Sequence, residues 1–248
     1  VIGKDNRVYV LEVNPRASRT VPILSKVTGV PMVAAATRIM LGETLSGMGM
    51  APGLHPESRL VTVKAPVFSF SKLTTVDIFL GPEMKSTGEV MGTDTKFLAA
   101  LKKAFVASGM RPPRRDKPIL FSVTDRDKEE ALGFARQMLG MGFAIAATDG
   151  THAAFTANGI KCQLVLHEDV VRALKEREIS MVINTPTRGK LLDRLGFILR
   201  RTAMEFNVPC ITSMDTLAAL LSVMAAQDIE DHHIPLHEYL NYDKEPVQ

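Results

Sequence analysis

Cysteines, long apolar runs and basic stretches with interleaved aromatic residues are all scarce in this sequence of 248 residues. Its two cysteines, Cys162 and Cys210, have neither the spacing of a metal site nor that of a disulfide framework. No apolar run reaches the roughly 18 residues of a membrane-spanning helix, and no signal peptide opens the chain. No basic run with aromatic residues between its charges indicates a nucleic-acid surface. These absences favour a cytoplasmic protein without membrane or nucleic-acid partners.

The sequence is rich in apolar residues, and its charge is unevenly distributed. Hydrophobic residues make up 46% of the chain, enough to bury the cores of two domains. Residues 1–116 carry 16 Lys and Arg against 9 Asp and Glu, a net charge of +7. Residues 117–248 carry 14 against 18, a net charge of −4. A basic first half suits polyphosphate substrates.

The apolar, β-branched residues 8–13 predict a buried strand. Because side chains alternate along a strand, Glu12 and Asn14 are expected on the same side. A carboxylate beside an amide oxygen suits a hard cation such as Mg²⁺. Arg16 and Arg19 follow as cations for phosphate or carboxylate oxygens. For Glu-x-Asn alone, a strand end with surface charges is an equally good interpretation.

Apolar residues at helical spacing predict helical structure over residues 23–41, with Pro31 at the first turn of the main helix, and a strand is expected at 60–70. A second helix is expected from Asp94 to about Ser108, with its apolar face formed by Phe97, Leu98, Leu101 and Phe105. Residues 109–116 contain two prolines, a glycine and clustered charges, which is the composition of a linker. The predicted domains are therefore 1–108 and 117–248.

Beyond the linker, short apolar strands alternate with helices, a pattern typical of a parallel α/β sheet. The predicted strands are 119–123, 143–148, 163–166, 181–184 and 210–212. The predicted helices are 127–139, a short one from Thr151, 167–178, 191–207 and 217–226.

Polar residues follow three of these strands, where ligands of parallel sheets bind. Thr148 and Thr151 offer hydroxyl groups at the start of a helix, a typical phosphate cradle. Asn184 opens a second polar loop that includes Thr187, and Lys128 lies just past the first strand. A simple N-cap is the alternative interpretation of Thr151. Three polar strand ends at one edge favour an anion site.

The run from Glu12 to Pro22, Glu-Val-Asn-Pro-Arg-Ala-Ser-Arg-Thr-Val-Pro, resembles the metal- and phosphate-binding strand of carbamoyl-phosphate synthase large chains. Glu-x-Asn-x-Arg alone would indicate only an ATP-grasp ligase, and the continuation is more specific. Residues 80–92, Leu-Gly-Pro-Glu-Met-Lys-Ser-Thr-Gly-Glu-Val-Met-Gly, form a second match. The resemblance implies an α/β protein: a partial, α+β ATP-grasp carboxyl-terminal segment followed by a Rossmann-like, methylglyoxal-synthase-like regulatory domain with a parallel sheet.

The chain begins at Val1 without Met, and no nucleotide-binding region fits ahead of Glu12, so we expect a carboxyl-terminal fragment of a larger ligase. The resemblance implies a parent that makes carbamoyl phosphate from bicarbonate, glutamine-derived ammonia and two ATP, with Mg²⁺ or Mn²⁺. It also implies a glutaminase small subunit as partner and a role in pyrimidine or arginine biosynthesis. A homo-oligomeric parent stays open.

The same resemblance implies roles for individual residues. Glu12 and Asn14 would hold the metal of the carbamate-phosphorylating half. Arg16, Arg19, Lys64 and Glu89 would be catalytic, the last three near the path of carbamate. From spacing alone, Lys64 is equally well a solvent-facing strand residue and Glu89 a loop residue. Lys128, Thr148, Thr151, Asn184 and Thr187 would bind a regulatory nucleotide such as uridine monophosphate (UMP).

Two departures from the family pattern limit which effectors are expected to regulate this chain. Val165 stands where some relatives carry Lys, and Ala65 and Cys210 stand at positions of an ornithine site, so ornithine control is not expected. His232, His233 and His237 lack a fourth ligand, which favours a solvated helix end over a metal site.

Two other functions remain as alternatives. One is a stand-alone regulatory nucleotide-binding module. The other is a methylglyoxal synthase, a lyase that needs a carboxylate base at the strand ends. The loop after Asn184 has no acidic residue before Asp193, and Asp149 alone is a weak candidate.

Overall fold

The computed structural model describes residues 1–68, 78, 84–186, 195–226, 229 and 234–242. The chain divides into two compact units, Val1–Leu60 with His233–Gln248, and Val61–His232. The linker predicted at residues 109–116 lies inside the second unit. The functional division into 1–108 and 117–248 therefore stays a prediction.

Three helices form the regular structure described in the first unit: α1 (Thr20–Thr28), α2 (Met32–Met40) and α9 (Leu236–Tyr242). The helical structure predicted over 23–41 is confirmed, with Pro31 at the start of the main helix as expected, but the residues before it form a separate helix. Gly29 ends α1 in the left-handed conformation, with φ of 69°, and Pro31, which has no N–H, caps α2. No single helix of the described segments is long and apolar enough to cross a membrane; α1 and α2 together meet that composition but are bent by 107°.

The strand predicted at residues 8–13 is absent from the structure. Val8 makes one isolated antiparallel bridge to Ile2, and residues 9–15 have no regular secondary structure. The apolar side chains stay in solvent, with Val10 74% and Leu11 80% exposed. A strand is stable only with a partner for its backbone groups; Tyr9 exchanges backbone hydrogen bonds with Val1, but no strand of the described residues pairs with 10–15.

The second unit begins with an antiparallel pair, β1 (Val61–Val67) and β2 (Gly88–Asp94), followed by α3 (Phe97–Ala107). The sequence predicted β1 but not β2. Gly92 has no room for a side chain, since a Cβ there would lie 2.1 Å from the Ala100 carbonyl oxygen. The helix therefore lies directly against the strand.

This close approach decides which face of α3 is buried. Ala99, Ala100 and Ala104 are buried, whereas Phe97 is 56% exposed. Of the predicted apolar face, Phe97 is exposed, Leu98 and Leu101 are half-buried and Phe105 packs against the core. The fully buried positions are alanines, because only small side chains fit between a helix and a strand at that distance.

A parallel sheet of five strands forms the rest of this unit, in the order β5-β4-β3-β6-β7. The predicted parallel α/β architecture is confirmed. Its elements are β3 (Ile119–Ser122), α4 (Lys128–Gly140), β4 (Ile145–Thr148), α5 (Asp149–Ala157), β5 (Gln163–Val165), α6 (Val170–Lys175), β6 (Met181–Asn184), α7 (Leu195–Glu205), β7 (Cys210–Ile211) and α8 (Met214–Ala225). Each predicted strand overlaps an observed one.

Both faces of the sheet are covered, as a parallel sheet requires. Phe121 of β3 points to one face and meets Phe155 of α5 edge-to-face, with ring centroids 5.4 Å apart. Leu120 points to the other face and packs with Val182 and Leu199. Because β3 is the central strand and is packed on both faces, the residues that follow it are held rigidly.

Candidate functional site

The order of the strands places a crevice at the carboxyl ends of β3 and β6. The chain winds from β3 to β4 and β5 on one side and returns to β6 and β7 on the other. At such a reversal the following loops diverge and leave room for a ligand. Ser122 and Asn184 face each other in register at this point. We call this place the switch crevice; residues 122–124, 148–151 and 184–185 surround it.

Thr151 connects α5 to the end of β3. Its hydroxyl oxygen accepts a hydrogen bond from the Val123 N–H at 3.1 Å, and only 2% of the residue is exposed. Thr148, 6% exposed, is the residue that precedes α5, and its side chain makes no capping hydrogen bond. The simple N-cap interpretation of Thr151 is therefore wrong. The Thr151 hydroxyl hydrogen can still be donated to a ligand.

Asn184 connects β6 to β3 and to α7. Its amide nitrogen donates to the Ser122 carbonyl, and its amide oxygen accepts from the Arg200 guanidinium, both at 2.6 Å. Arg200 is only 5% exposed. Gly196 leaves space for this contact, because a Cβ there would lie 3.2 Å from Arg200 Nη1. The sequence reasoning missed Arg200, and the adjacent Arg200-Arg201 pair gives no signal of which one is buried.

Thr185 and Asp127 complete the hydrogen bonds around the end of β3, and both were missed. Thr185 accepts from the Thr124 N–H at 2.9 Å, and the Thr124 hydroxyl donates to Asp127 at 2.7 Å. Burial raises the pKa of Asp127, but hydrogen bonds from Thr124 and Thr185 and the charge of Arg126 outweigh it, so this pKa lies below its ordinary value. Asp127 is therefore an anion at neutral pH.

Lys128 supplies positive charge beside the start of α5. Its ammonium group lies 3.7 Å from where a Cβ of Gly150 would be, and it pairs with Asp125 at 2.6 Å. The Asp125 side chain is 95% exposed, so solvent weakens that pair. Thr187 lies outside the described residues. Thr148, Thr151, Lys128 and Asn184 thus all lie at the carboxyl-terminal edge of one sheet.

The predicted metal ligands lie side by side in the first unit. The Asn14 amide nitrogen donates to the Glu12 carboxylate at 3.1 Å, and both residues are exposed, as are Arg16 and Arg19. Two oxygen donors fit Mg²⁺ or Mn²⁺, which take few protein ligands and share the rest with phosphates and water. Both oxygens would face one cation after the Asn14 amide turns. The described residues contain no group of three acidic, His or Cys side chains suited to a metal.

Lys64 and Glu89 are close together on adjacent strands. The Lys64 ammonium lies 3.4 Å from Glu89 Oε1. The other carboxylate oxygen, Oε2, is buried without a hydrogen-bond partner. Glu89 belongs to β2, so its interpretation as a loop residue is wrong. The catalytic roles of Lys64, Glu89, Arg16 and Arg19 stay predictions.

Two family models match separate parts of the chain. Residues 130–212 match the MGS-like domain, and residues 1–48 match the ATP binding domain of the carbamoyl-phosphate synthase L chain. The first match covers most of the parallel sheet and the switch crevice. The second covers Glu12, Asn14, Arg16 and Arg19.

Curated relatives align with nearly the whole chain. A carbamoyl phosphate synthase large chain from Thermomicrobium roseum is 51% identical over 223 residues, 88% of this chain and 21% of the relative. One from a Thermoanaerobacter species is 44% identical over 246 residues, 99% of this chain and 23% of the relative. The chain thus spans about a fifth of the length of these relatives. A methylglyoxal synthase structure from Elizabethkingia anophelis is 19% identical, with 56% of this chain and 99% of that one covered and a TM-score of 0.37, too low to carry an argument.

Proposed function

Because this chain belongs to the carbamoyl phosphate synthase large-chain family, we propose that it forms part of a ligase of carbamoyl phosphate and carries that ligase's effector-binding domain. The close identity over most of the chain carries the proposal. The substrates would be bicarbonate, glutamine-derived ammonia and two ATP, with a glutaminase small subunit as partner. The proposed location is the cytoplasm.

In this proposal, residues 1–108 contribute to the half of the enzyme that phosphorylates carbamate. Glu12 and Asn14 would hold Mg²⁺ or Mn²⁺, which neutralises charge on the phosphates of ATP. Arg16 and Arg19 would bind phosphate or carboxylate oxygens. The Lys64–Glu89 pair would lie along the route of carbamate, where the buried Glu89 oxygen can accept a hydrogen bond.

For residues 117–248, we infer that the switch crevice binds a phosphorylated effector, a pyrimidine nucleotide such as UMP. Thr151 already accepts the Val123 N–H, so its hydroxyl hydrogen is available for a phosphate oxygen. Lys128 adds charge, and the N–H groups at the start of α5 add donors and a favourable dipole. Asn184 and Thr187 would contact the sugar or the phosphate edge. Ornithine control is not part of this proposal.

The lyase alternative has less support. Asp127 is an ionised carboxylate beside the crevice, but one of its oxygens accepts the Thr124 hydroxyl and the group also bonds Thr185. A carboxylate whose oxygens already accept these hydrogen bonds stabilises the loop and is poorly placed to act as a catalytic base. A stand-alone regulatory module remains compatible with the geometry of the switch crevice.

Calorimetry with UMP tests the effector proposal. Thr151→Val keeps the shape of the side chain but removes its hydroxyl, and should weaken UMP binding roughly tenfold to a hundredfold, since a hydrogen bond to a charged group contributes about 1.5–3 kcal/mol. Thr151→Ser keeps the hydroxyl and should bind UMP nearly as tightly as the unmodified chain.

Thr156→Val is the matched control. Thr156 lies on the same helix, is exposed, and donates to the His152 carbonyl within that helix. Its replacement should leave UMP binding unchanged. Equal UMP affinity in Thr151→Val and Thr156→Val would remove the switch crevice as the phosphate site.

A further inference from the structure

A second cavity lies at the amino ends of β3 and β4, away from the switch crevice. Its volume is about 340 Å³, within the range of small-molecule pockets. Its walls come from α3, from the segment before β3, from the start of β4 and from the end of α8. The apolar part includes Phe105, Met110, Phe143 and Met224. We call it the α3–α8 cavity.

The charged residues that line this cavity within the described part of the chain are Arg115 and Lys102, both cationic. Neither the family matches nor the effector proposal assigns a role to these residues. A ligand that fits would therefore carry a negative charge on a largely apolar body.

Arg115 is held in place by an aromatic ring. Its guanidinium carbon lies 5.3 Å from the centroid of the Phe143 ring, within the range of a cation–π contact. No carboxylate in the described part of the chain forms an ion pair with it. The preceding Arg114 differs, because Asp116 forms a bidentate ion pair with its guanidinium. The guanidinium of Arg115 is thus oriented but retains its donors for a planar anion.

The remaining wall suits a flexible apolar tail. Met110, Met141 and Met224 line the cavity together with the two phenylalanines. Methionine side chains adjust to irregular shapes and make favourable contacts with apolar groups. A cavity of this size accommodates a body of about ten non-hydrogen atoms.

We propose that the α3–α8 cavity binds a small apolar monocarboxylate, with its carboxylate on Arg115 and its tail between α3 and α8. Such a ligand would contact both α3 and α8 and so connect the β1–β2–α3 layer to the parallel sheet. The proposal is independent of UMP binding in the switch crevice.

Calorimetry with octanoate and with octanol on the full chain tests the site. Octanoate should bind, and octanol, which has the same tail without the charge, should bind at least several times more weakly. Arg115→Gln should weaken octanoate binding roughly tenfold, as expected for loss of a charge-assisted contact. Arg114→Gln, next in the chain but engaged with Asp116, should leave octanoate affinity within about twofold.

A fluorescent reporter gives a second readout, because the sequence contains no Trp. Val106 lines the cavity and is 64% exposed, so Val106→Trp places a single emitter at its edge without disturbing the core. Octanoate should shift that emission, and the shift should need more octanoate when Arg115→Gln is added. Trp at the distant, half-exposed Leu164 should not respond.

Three results would overturn the proposal: no octanoate binding to the unmodified chain, equal effects of Arg115→Gln and Arg114→Gln, or octanol affinity equal to that of octanoate. An unchanged emission in Val106→Trp would place any bound octanoate elsewhere and would also overturn it.

Discussion

The amide of Asn184 makes two short hydrogen bonds, one to the Ser122 carbonyl and one from the Arg200 guanidinium. These bonds hold β3, β6 and α7 at a fixed distance from one another. A ligand in the switch crevice would therefore meet an amide whose orientation is already fixed. In this arrangement Asn184 shapes the crevice.

The sequence predicted part of the crevice and missed the rest for a physical reason. Thr148, Thr151, Asn184 and Lys128 follow strands of a parallel sheet, so their common edge could be predicted from topology. The partners that orient them come from elsewhere in the chain: Arg200 reaches Asn184 across 16 residues, and Thr185 reaches Thr124 across 61. Such contacts have no characteristic spacing in a sequence.

A single substitution at Glu12 tests its role in metal binding separately from any structural role. In the proposed ligase, Glu12→Gln should abolish carbamoyl phosphate synthesis, because a neutral amide binds a hard cation poorly. Bicarbonate-dependent ATP hydrolysis at the other half should continue. Assays of both activities check this.

Glu43→Gln serves as the control for Glu12→Gln. Glu43 is an exposed acid of the same unit that pairs with Arg38. Its replacement should leave both activities near normal. If Glu12→Gln reduced both activities equally, Glu12 would not belong to the carbamate-phosphorylating half.

At the scale of elements, the contact between β2 and α3 depends on Gly92. A methyl group at this position would lie 2.1 Å from the Ala100 carbonyl oxygen and 2.4 Å from the Ala104 nitrogen, which are backbone atoms that cannot rotate away. Gly92→Ala should lower the free energy of unfolding by about 1–3 kcal/mol or more, as overpacking does. Urea denaturation of the chain measures this.

Gly88→Ala on the same strand is the matched comparison. Its new methyl group would meet only the Val67 side chain, at 3.7 Å, an ordinary contact. The unfolding midpoint should stay close to that of the unmodified chain. Equal losses in the two variants would show that space against α3 is not the cause.

The stability that the same β2–α3 contact contributes depends on pH through Asp94. Burial raises the pKa of Asp94, but the Lys103 ammonium at 2.7 Å and the N–H groups of Lys96 and Thr95 outweigh it, so the pKa lies below its ordinary value. A lowered folded-state pKa stabilises the fold above the unfolded-state value, and this stabilisation is lost as pH falls through the folded-state value.

The free energy of unfolding of Asp94→Asn, measured over a pH series, tests the direction of this effect. The stability difference from the unmodified chain should be constant above about pH 5 and should shrink steadily below pH 4, where the carboxylate becomes protonated. Asp5→Asn, at an exposed acid of the first unit, should show no such trend. A difference that grew on acidification would contradict the assignment.

The strands and helices of the parallel sheet could be predicted from the sequence, whereas several elements within the first 108 residues could not. Strands of the sheet are apolar on both sides and bounded by turns, so their pattern is unambiguous. Residues 8–13 have the same pattern, yet a strand forms only with a partner. In residues 23–41 Pro31 indicated the start of α2, whereas the end of α1 depends on the left-handed backbone of Gly29, which the apolar spacing does not reveal.

At the scale of the whole molecule, the two units differ in how much of their surface they bury. The parallel sheet has buried residues on both faces, including Phe121, Leu120 and Leu199. In the first unit, Ala35 is the buried residue of α2, and α1 has none. Fewer buried contacts mean easier local opening. The first sixty residues should therefore open before the second unit does.

Limited digestion with trypsin tests this difference in local stability. The enzyme should cut first after Arg7, Arg16 or Arg19, which are exposed and lie outside regular helices and strands. The segment 109–116 should resist longer than its composition predicts, because Pro113 is buried, Arg115 stacks on Phe143 and trypsin does not cleave before Pro112. Mass spectrometry of early products should find a fragment containing residues 84–186 intact. A first cut after Arg114 or Arg115 would show instead that this segment is the weakest point of the chain.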